Sequence, residues 1–186
     1  DGLSSDCSFT LTMDDDTDPV ITVCPPSASV SADASCQFTM LDYTGGVTAT
    51  DNCTASGSLT ITQSPIAGTV VSGTQVVTMT VDDGNGNTTT CQFTLTVDDI
   101  TDPTITDCPS DATVIVDASC NYTLPDYTGI PTVADNCTAV GALVVTQSPV
   151  AGTVLNGDAT TQVVTLTVTD ANSNAADCSF TLTLDD

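Results

Sequence analysis

Residues 98–139 read DDITDPTITDCPSDATVIVDASCNYTLPDYTGIPTVADNCTA and repeat residues 14–55, which read DDDTDPVITVCPPSASVSADASCQFTMLDYTGGVTATDNCTA. The likeness continues beyond both stretches, because equivalent cysteines are 84 residues apart in three pairs and 87 apart in the fourth. These pairs are Cys24 and Cys108, Cys36 and Cys120, Cys53 and Cys137, and Cys91 and Cys178. A fixed step of this kind indicates two tandem copies of one structural unit.

A third, partial copy lies at the start of the sequence. Residues 7–12 read CSFTLT, and nearly the same hexapeptide closes each of the two full copies. We therefore expect residues 1–15 to form the last strand of a preceding repeat, with repeat 1 at 16–99 and repeat 2 at 100–186. The apolar side chains of that strand would either close the preceding repeat or add to a sheet of a neighbouring molecule.

Apolar and polar residues alternate within each repeat, as they do in strands with one buried face. Every second residue from Cys91 to Val97 is apolar, and Val77, Met79 and Val81 alternate with threonine. Pro and Gly turn signals separate these short strands. Strands at this spacing predict an all-β fold of two tandem immunoglobulin- or fibronectin-type antiparallel β-sandwiches, preceded by one strand of a third repeat.

Charge restricts the partners that the chain can bind. The 186 residues include 24 acidic side chains, all aspartate, and no Lys, Arg or His, so the net charge is -24. Such a chain cannot neutralise phosphates, which excludes nucleic acid and disfavours anionic membranes as partners. General acid–base and nucleophilic catalysis draw mainly on His, Glu and Lys, so we expect no enzyme activity. Apolar residues make up 40% of the chain, which favours a folded protein, and no apolar run reaches the ~18 residues of a membrane span.

The order of short motifs resembles that of the hyalin repeat (HYR) family. In repeat 2 the matching motifs are Asp102-Pro103, Cys108-Pro109, Cys120, Asp135-Asn136-Cys137, Asp170 with Asn174, and Cys178-Ser179-Phe180. The resemblance covers both repeats nearly end to end. It implies an extracellular, immunoglobulin-like module of adhesion and surface proteins that often occurs in tandem arrays, and it implies no catalysis.

Nine cysteines without metal-type Cys-x-x-Cys pairs indicate disulfides formed in an oxidising compartment. The first and last strands of a sandwich begin at the same end of the domain, so their cysteines can meet, and the two middle cysteines are left for each other. The resemblance also supports the outer pair. This scheme gives Cys24–Cys91, Cys36–Cys53, Cys108–Cys178 and Cys120–Cys137. An alternative scheme pairs Cys53 with Cys91 and Cys24 with Cys36. We expect Cys7 to be unpaired here or paired outside this chain.

Aspartates converge at one end of each predicted sandwich, in the linker, in the Asp-Asn-Cys loop and in the loop before the last strand. That last loop reads DGNGN at 83–87 and DANSN at 170–174, which places oxygen ligands at alternate positions as in the first half of a calcium loop. The alternative is that these residues are solvated turn formers. Because no basic residue offsets the carboxylates, we expect bound Ca²⁺ that stiffens the junctions between repeats. The expected ligands are Asp14, Asp15, Asp18, Asp51, Asp83, Asn85, Asn87, Asp98, Asp99, Asp102, Asp135, Asp170, Asn172 and Asn174.

These features predict a non-catalytic structural segment of an extracellular or cell-surface filament, stalk or adhesin. Repeat proteins need neighbours along only one axis, so the expected partners are further copies of the same repeat or subunit. One alternative is a Ca²⁺-dependent adhesion module that binds a glycan or a surface protein. Another alternative is an accessory domain of a secreted enzyme, in which the chemistry belongs to a different part of the parent protein.

Overall fold

The computed structural model describes residue 2 and residues 4–186, and they form two compact units. The first unit comprises the chain up to Val30 together with Phe38–Val97. The second unit comprises Asp98–Asp186 together with Ser31–Gln37, a loop that belongs to repeat 1 by sequence. Within the described part of the chain, no helix is long and apolar enough to cross a membrane.

The first unit contains a four-stranded sheet in the order β2-β8-β7-β5 and two strand pairs, β1-β4 and β3-β6. Two short 3-10 turns lie at Thr44–Gly46 and Ser56–Ser58. The strands are β1 Val20–Val23, β2 Ala28–Ser31, β3 Phe38–Thr39, β4 Thr48–Thr50, β5 Thr60–Ser64, β6 Val70–Val71, β7 Gln75–Asp82 and β8 Thr88–Asp98.

The second unit repeats this arrangement, with a sheet in the order β10-β16-β15-β13 and the pairs β9-β12 and β11-β14. Strand β10 runs parallel to β16, and the other pairs are antiparallel. One 3-10 turn lies at Val140–Ala142. The strands are β9 Thr104–Thr106, β10 Ala112–Ile115, β11 Asn121–Thr123, β12 Thr132–Ala134, β13 Val144–Ser148, β14 Val154–Asn156, β15 Thr161–Thr169 and β16 Ala175–Asp185.

The core of each unit is built from alternating residues of its two longest strands. In the first unit, Val77, Met79 and Val81 of β7 are fully buried and pack with Phe93 and Leu95 of β8. The equivalent positions of β15 and β16 are buried in the second unit. Each fully buried side chain of this size contributes roughly 1.5–3 kcal/mol. The predicted all-β, immunoglobulin-like sandwich fold is confirmed.

One buried glutamine per unit, which the sequence analysis did not single out, ties a loop to the sheet. Gln63 accepts a hydrogen bond from the Tyr43 backbone N–H at 2.7 Å and donates to the carbonyl oxygens of Leu41 at 2.8 Å and Pro65 at 3.1 Å. Gln147 makes the same three bonds in the second unit. These bonds satisfy loop groups that would otherwise be unpaired next to the core.

The segment before β1 contains no strand across residues 4–15. Its apolar side chains are exposed, with 87% of Phe9, 78% of Leu11 and 89% of Met13 accessible to solvent. Residues 1 and 3, which begin the segment expected to close a preceding repeat, lie outside the described residues. The pairing of this segment with another repeat stays a prediction.

Three disulfides are formed among the described residues. Cys24 is bonded to Cys91 and Cys108 to Cys178, which are the pairs expected from strand direction. The third bond joins Cys36 to Cys137 inside the second unit.

The expected Cys36–Cys53 and Cys120–Cys137 disulfides are wrong, because Cys36 bonds to Cys137 instead. The alternative pairs, Cys53–Cys91 and Cys24–Cys36, are not formed either. The physical reason is the position of Ser31–Gln37, which packs in the second unit and brings the Cα of Cys36 to 4.8 Å from that of Cys137. Within the described part of the chain, exposed thiols are left at Cys7, Cys53 and Cys120.

Candidate metal centres

Three carboxylates from separate segments of the second unit meet at one end of its sandwich. Asp99 follows β8, Asp135 follows β12 and Asp170 follows β15. One oxygen atom of each lies within 4.8 Å of the others. Asp99 and Asp170 are only 6% and 7% exposed, and Asp135 is half-buried. We call this group the second acidic cluster.

Two of its carboxylates are held in place by turns that they cap themselves. The Oδ2 atom of Asp135 accepts hydrogen bonds from the backbone N–H groups of Cys137 at 2.8 Å and Thr138 at 2.7 Å. The Oδ1 atom of Asp170 accepts from the N–H groups of Asn172 at 2.9 Å and Asn174 at 2.7 Å. These are the local side-chain-to-backbone bonds that aspartate forms in turns.

The side chain of Asn174 connects the turn to the linker that carries Asp99. Its Nδ2 group donates to Asp170 Oδ2 at 2.8 Å and to the backbone carbonyl oxygen of Asp99 at 3.1 Å. Asn172 contributes its backbone N–H to Asp170. The two asparagines, which the sequence predicted as ligands, thus position the carboxylates in this structure.

The cluster contains buried oxygen atoms without a hydrogen-bond donor. These atoms are Asp99 Oδ2, Asp135 Oδ1 and Oδ1 of the neighbouring Asn136. A buried, unpaired carboxylate oxygen is costly, and the chain has no basic side chain that could pair with it. A cation bound by the cluster would supply the positive charge that its carboxylates lack.

The donor set fits Ca²⁺. Calcium takes six to eight oxygen ligands at about 2.3–2.6 Å, so two oxygens on opposite sides of one ion are about 5 Å apart. The carboxylate oxygens of the cluster lie within 4.8 Å of one another, inside that limit. Asp99, Asp135 and Asp170 would hold the ion, and the ion would supply positive charge and a cross-link between three chain segments.

The environment shifts the pKa values of two members in opposite directions. Burial raises the pKa of Asp99, and the charges of Asp135 and Asp170 raise it further. For Asp170, burial also acts to raise the pKa, but hydrogen bonds from Asn174 and Asn172 outweigh it and lower the pKa overall. The cluster therefore contains one carboxylate that resists ionisation and one that is held ionised.

The first unit contains an equivalent group, the first acidic cluster, formed by Asp15, Asp51 and Asp83. Asp51 Oδ2 accepts from the backbone N–H groups of Cys53 and Thr54, each at 2.8 Å, and its Oδ1 is buried without a partner. Hydrogen bonds within the DGNGN turn hold Asp83 as the DANSN turn holds Asp170, and they likewise lower its pKa against the effect of burial.

The asparagine that links the turn to the linker is also repeated. Asn87 Nδ2 donates to Asp83 Oδ2 at 2.7 Å and to the carbonyl oxygen of Asp15 at 3.1 Å. The two copies of the sequence thus build the same arrangement of carboxylates twice.

The Asp-Asn-Cys motifs beside the two clusters differ in how well they are covered. In the second unit, the loop Ser31–Gln37 lies against the Asp-Asn-Cys motif, because Asn136 Nδ2 donates to the carbonyl oxygen of Asp33 at 3.0 Å and Cys36 is bonded to Cys137. In the first unit, the corresponding residues Asn52 and Cys53 are exposed.

The structure brings six of the expected ligands into the two clusters. It leaves out Asp14, Asp18 and Asp102, which are exposed, and Asp98, which is half-buried. The four asparagines of the two turns, Asn85, Asn87, Asn172 and Asn174, contribute N–H groups that hold the carboxylates. Asn136 was not among the expected ligands, although the shared Asp-Asn-Cys motif places it directly after a clustered aspartate.

No family model matches the sequence, and no curated protein sequence matches it, so the hyalin repeat family stays a resemblance of motifs. Solved structures are similar to it at low identity. The protocadherin fragment PcdhgB3 EC1-4 matches 92% of this chain and 51% of its own, with 12% identity and a TM-score of 0.45. Sidekick-1 immunoglobulin domains 1–4 match 90% and 49%, with 12% identity and a TM-score of 0.48.

A third similar structure is mouse cadherin-23 EC22–24, which matches 91% of this chain and 67% of its own, with 16% identity and a TM-score of 0.45. The chain spans about half the length of the first two structures. The names of all three give a run of numbered domains.

Proposed function

We propose that this chain is a non-catalytic structural or adhesive segment of an extracellular tandem-repeat protein whose repeats bind Ca²⁺ at the two acidic clusters. The observation that carries the proposal is the second acidic cluster, where three carboxylates meet and two of their oxygens, Asp99 Oδ2 and Asp135 Oδ1, are buried without a donor. Repetition of the arrangement in the first unit supports it.

Charge supports a divalent cation. Each cluster gathers three carboxylates, and the whole chain offers no Lys, Arg or His to offset them. Repulsion among the carboxylates acts against folding in the absence of a cation, and one Ca²⁺ per cluster would neutralise most of that charge. Affinities of extracellular calcium modules are about 10⁻⁴ to 10⁻³ M, which is the range we expect here.

Three disulfides support an extracellular or cell-surface location. Disulfides of this kind form and persist in oxidising compartments and are rare where thiols are kept reduced. Cys24–Cys91 and Cys108–Cys178 each span about the length of a repeat and constrain its unfolded chain. Disulfides within each repeat and ions at its end suit a module that must keep its shape outside a cell.

Thermal unfolding with and without Ca²⁺ tests the proposal. We expect Ca²⁺ to raise the unfolding temperature, because an ion that binds only the folded state stabilises it by mass action. Asp135→Asn should weaken this response, since it removes a clustered charge while its side-chain oxygen can still accept from the Cys137 and Thr138 N–H groups.

Asp98→Asn is the matched control, because Asp98 lies beside Asp99 but outside the cluster. It removes the same charge from the chain and should leave the calcium response intact. An unfolding temperature that does not change with millimolar Ca²⁺, or an equal loss of response in both variants, would contradict the proposal.

A further inference from the structure

The Cys36–Cys137 bond joins two positions that both full repeats of this sequence contain. Cys36 occupies the same place in repeat 1 as Cys120 in repeat 2, and Cys137 occupies the same place in repeat 2 as Cys53 in repeat 1. The earlier repeat supplies the loop cysteine, and the later repeat supplies the cysteine of the Asp-Asn-Cys motif. One unbonded loop cysteine, Cys120, and one unbonded cysteine of the Asp-Asn-Cys motif, Cys53, are left, and we call each of them an exposed half.

The loop of Cys120 already has the conformation of the bonded loop. Cys36 and Cys120 both adopt left-handed backbone angles, with φ of 59° and 56°. The Cys36 N–H donates to the carbonyl oxygen of Asp33 at 2.9 Å, and the Cys120 N–H donates to that of Asp117 at 2.8 Å. Each of these aspartates also accepts two backbone hydrogen bonds at its Oδ1 atom, at 2.8 and 3.0 Å.

The motif around Cys53 matches that around Cys137 in the same way. The N–H of Cys53 donates to Asp51 Oδ2 at 2.8 Å, and the N–H of Cys137 donates to Asp135 Oδ2 at 2.8 Å. In both motifs the preceding asparagine points its Nδ2 group at the cysteine sulfur, at 3.2 Å for Asn52. The bonded motif is partly covered, whereas Asn52 and Cys53 are exposed.

We propose that Cys120 of one copy of this chain forms a disulfide with Cys53 of the next copy, so that copies are joined head to tail. The occupant of each exposed half is the complementary half of a further repeat, supplied here by a second copy of the chain. Asn52 Nδ2 would donate to the carbonyl oxygen of Asp117, as Asn136 Nδ2 donates to that of Asp33 within the chain. The loop around Cys120 would then lie against the Asp-Asn-Cys motif of the first unit in the next copy, as Ser31–Gln37 lies against that of the second unit.

The bond forms by thiol–disulfide exchange with a small-molecule disulfide such as oxidised glutathione. The Cys120 thiolate attacks one glutathione sulfur, and a glutathione thiolate leaves with the electron pair of the broken S–S bond. The Cys53 thiolate of the second copy then attacks the Cys120 sulfur and releases the other glutathione thiolate. Two protein thiols are oxidised to one disulfide, and one oxidised glutathione is reduced. The two protons lost by the protein thiols convert the two leaving glutathione thiolates into thiols.

This proposal rests on the proposed function only in giving the joined copies a structural role. The disulfide requires no bound metal, so the two proposals fail separately. A chain that binds Ca²⁺ but never couples, and a chain that couples but never binds Ca²⁺, are distinguishable results.

Oxidation of the purified chain in a glutathione redox buffer tests the proposal. Cys7→Ser is introduced throughout, so that the other exposed thiol cannot contribute. Mass measurement under denaturing, non-reducing conditions should then show species at multiples of the 18.8 kDa chain. A protease that cleaves at aspartate should release one new linked peptide pair, which contains Cys53 and Cys120.

Two single variants define the direction of coupling. Cys53→Ser and Cys120→Ser should each stay monomeric alone, and a mixture of the two should give dimers that go no further. Neither cysteine is in a disulfide within the chain, so folding does not depend on them. Three results would overturn the proposal: a monomer that keeps both thiols, a Cys53–Cys120 bond within one chain, and dimers formed by either variant alone.

Discussion

At Asp99, burial and the charges of two neighbouring carboxylates all raise the pKa of the side chain. The pKa of this side chain is raised in the folded protein, first by burial and then by the charges of Asp135 and Asp170. An acid with a raised folded pKa is penalised when it ionises, so its contribution to stability falls as pH rises from the unfolded value of about 3.9 through the folded value. Asp170 has a lowered pKa and the opposite sign: its contribution is present above the unfolded value and is lost as pH falls through the folded one.

Asp99→Asn and Asp170→Asn should therefore change the stability of the calcium-free protein in opposite directions at neutral pH. Asp99→Asn removes a buried charge and should raise the unfolding temperature. Asp170→Asn puts an amide nitrogen against the Nδ2 group of Asn174, so that two donors face each other, and should cost ~1–3 kcal/mol. Both variants should weaken the response to Ca²⁺, because both remove a ligand of the second acidic cluster.

Thermal unfolding in a chelator, repeated after adding Ca²⁺, measures both effects. Asp98→Asn again provides the control for the loss of one charge. Destabilisation of the calcium-free chain by Asp99→Asn would show that this carboxylate is stabilised without an ion, contrary to the role assigned to it.

At the scale of single elements, the alternation of apolar and polar residues correctly predicts the buried face of the strands, whereas the sequence does not predict how the loops pack. The alternating residues of β7 and β8 define one buried face, because side chains of a strand point to opposite faces in turn. The loop Ser31–Gln37 carries no such period, and its packing in the second unit depends on contacts far away in sequence. The predicted pairing of Cys36 within its own repeat is wrong because the sequence gives no sign that this loop packs in the second unit.

The Cys36–Cys137 bond should stabilise the second unit strongly. Its two cysteines are 101 residues apart, and a crosslink of that span removes roughly 4–5 kcal/mol of loop-closure entropy from the unfolded chain. The double variant Cys36→Ser, Cys137→Ser should lose up to about that much of the free energy of unfolding.

Chemical unfolding of the two double variants provides the comparison. The control is the double variant Cys53→Ser, Cys120→Ser, which changes the equivalent cysteine in the other repeat at each position. Neither of these cysteines is in a disulfide, so the free energy of unfolding of the monomer should be unchanged. Equal stability of the two double variants would mean that the Cys36–Cys137 bond does not constrain the chain.

At the scale of the whole molecule, the internal sequence repeat made the fold predictable but not the membership of the acidic clusters. Because the two copies are alike in sequence, the sandwich and the acidic loops predicted for one copy are predicted for the other, and strand direction then gives the outer disulfide of each. Which six of the fourteen expected residues enter the clusters could not be predicted from the sequence, since Asp15 and Asp99 enter them while their neighbours Asp14 and Asp98 do not. That choice depends on the backbone direction of the linker, which Asn87 and Asn174 fix by hydrogen bonds to its carbonyl groups.

An equilibrium calcium titration of the intact chain at neutral pH tests the central claim most directly. Two acidic clusters of the same construction predict two ions per chain, with dissociation constants of about 10⁻⁴ to 10⁻³ M. The chain with both Asp51→Asn and Asp135→Asn should lose this binding, while Asp98→Asn should keep it. No binding at millimolar Ca²⁺, or binding that survives the double substitution, would contradict the account.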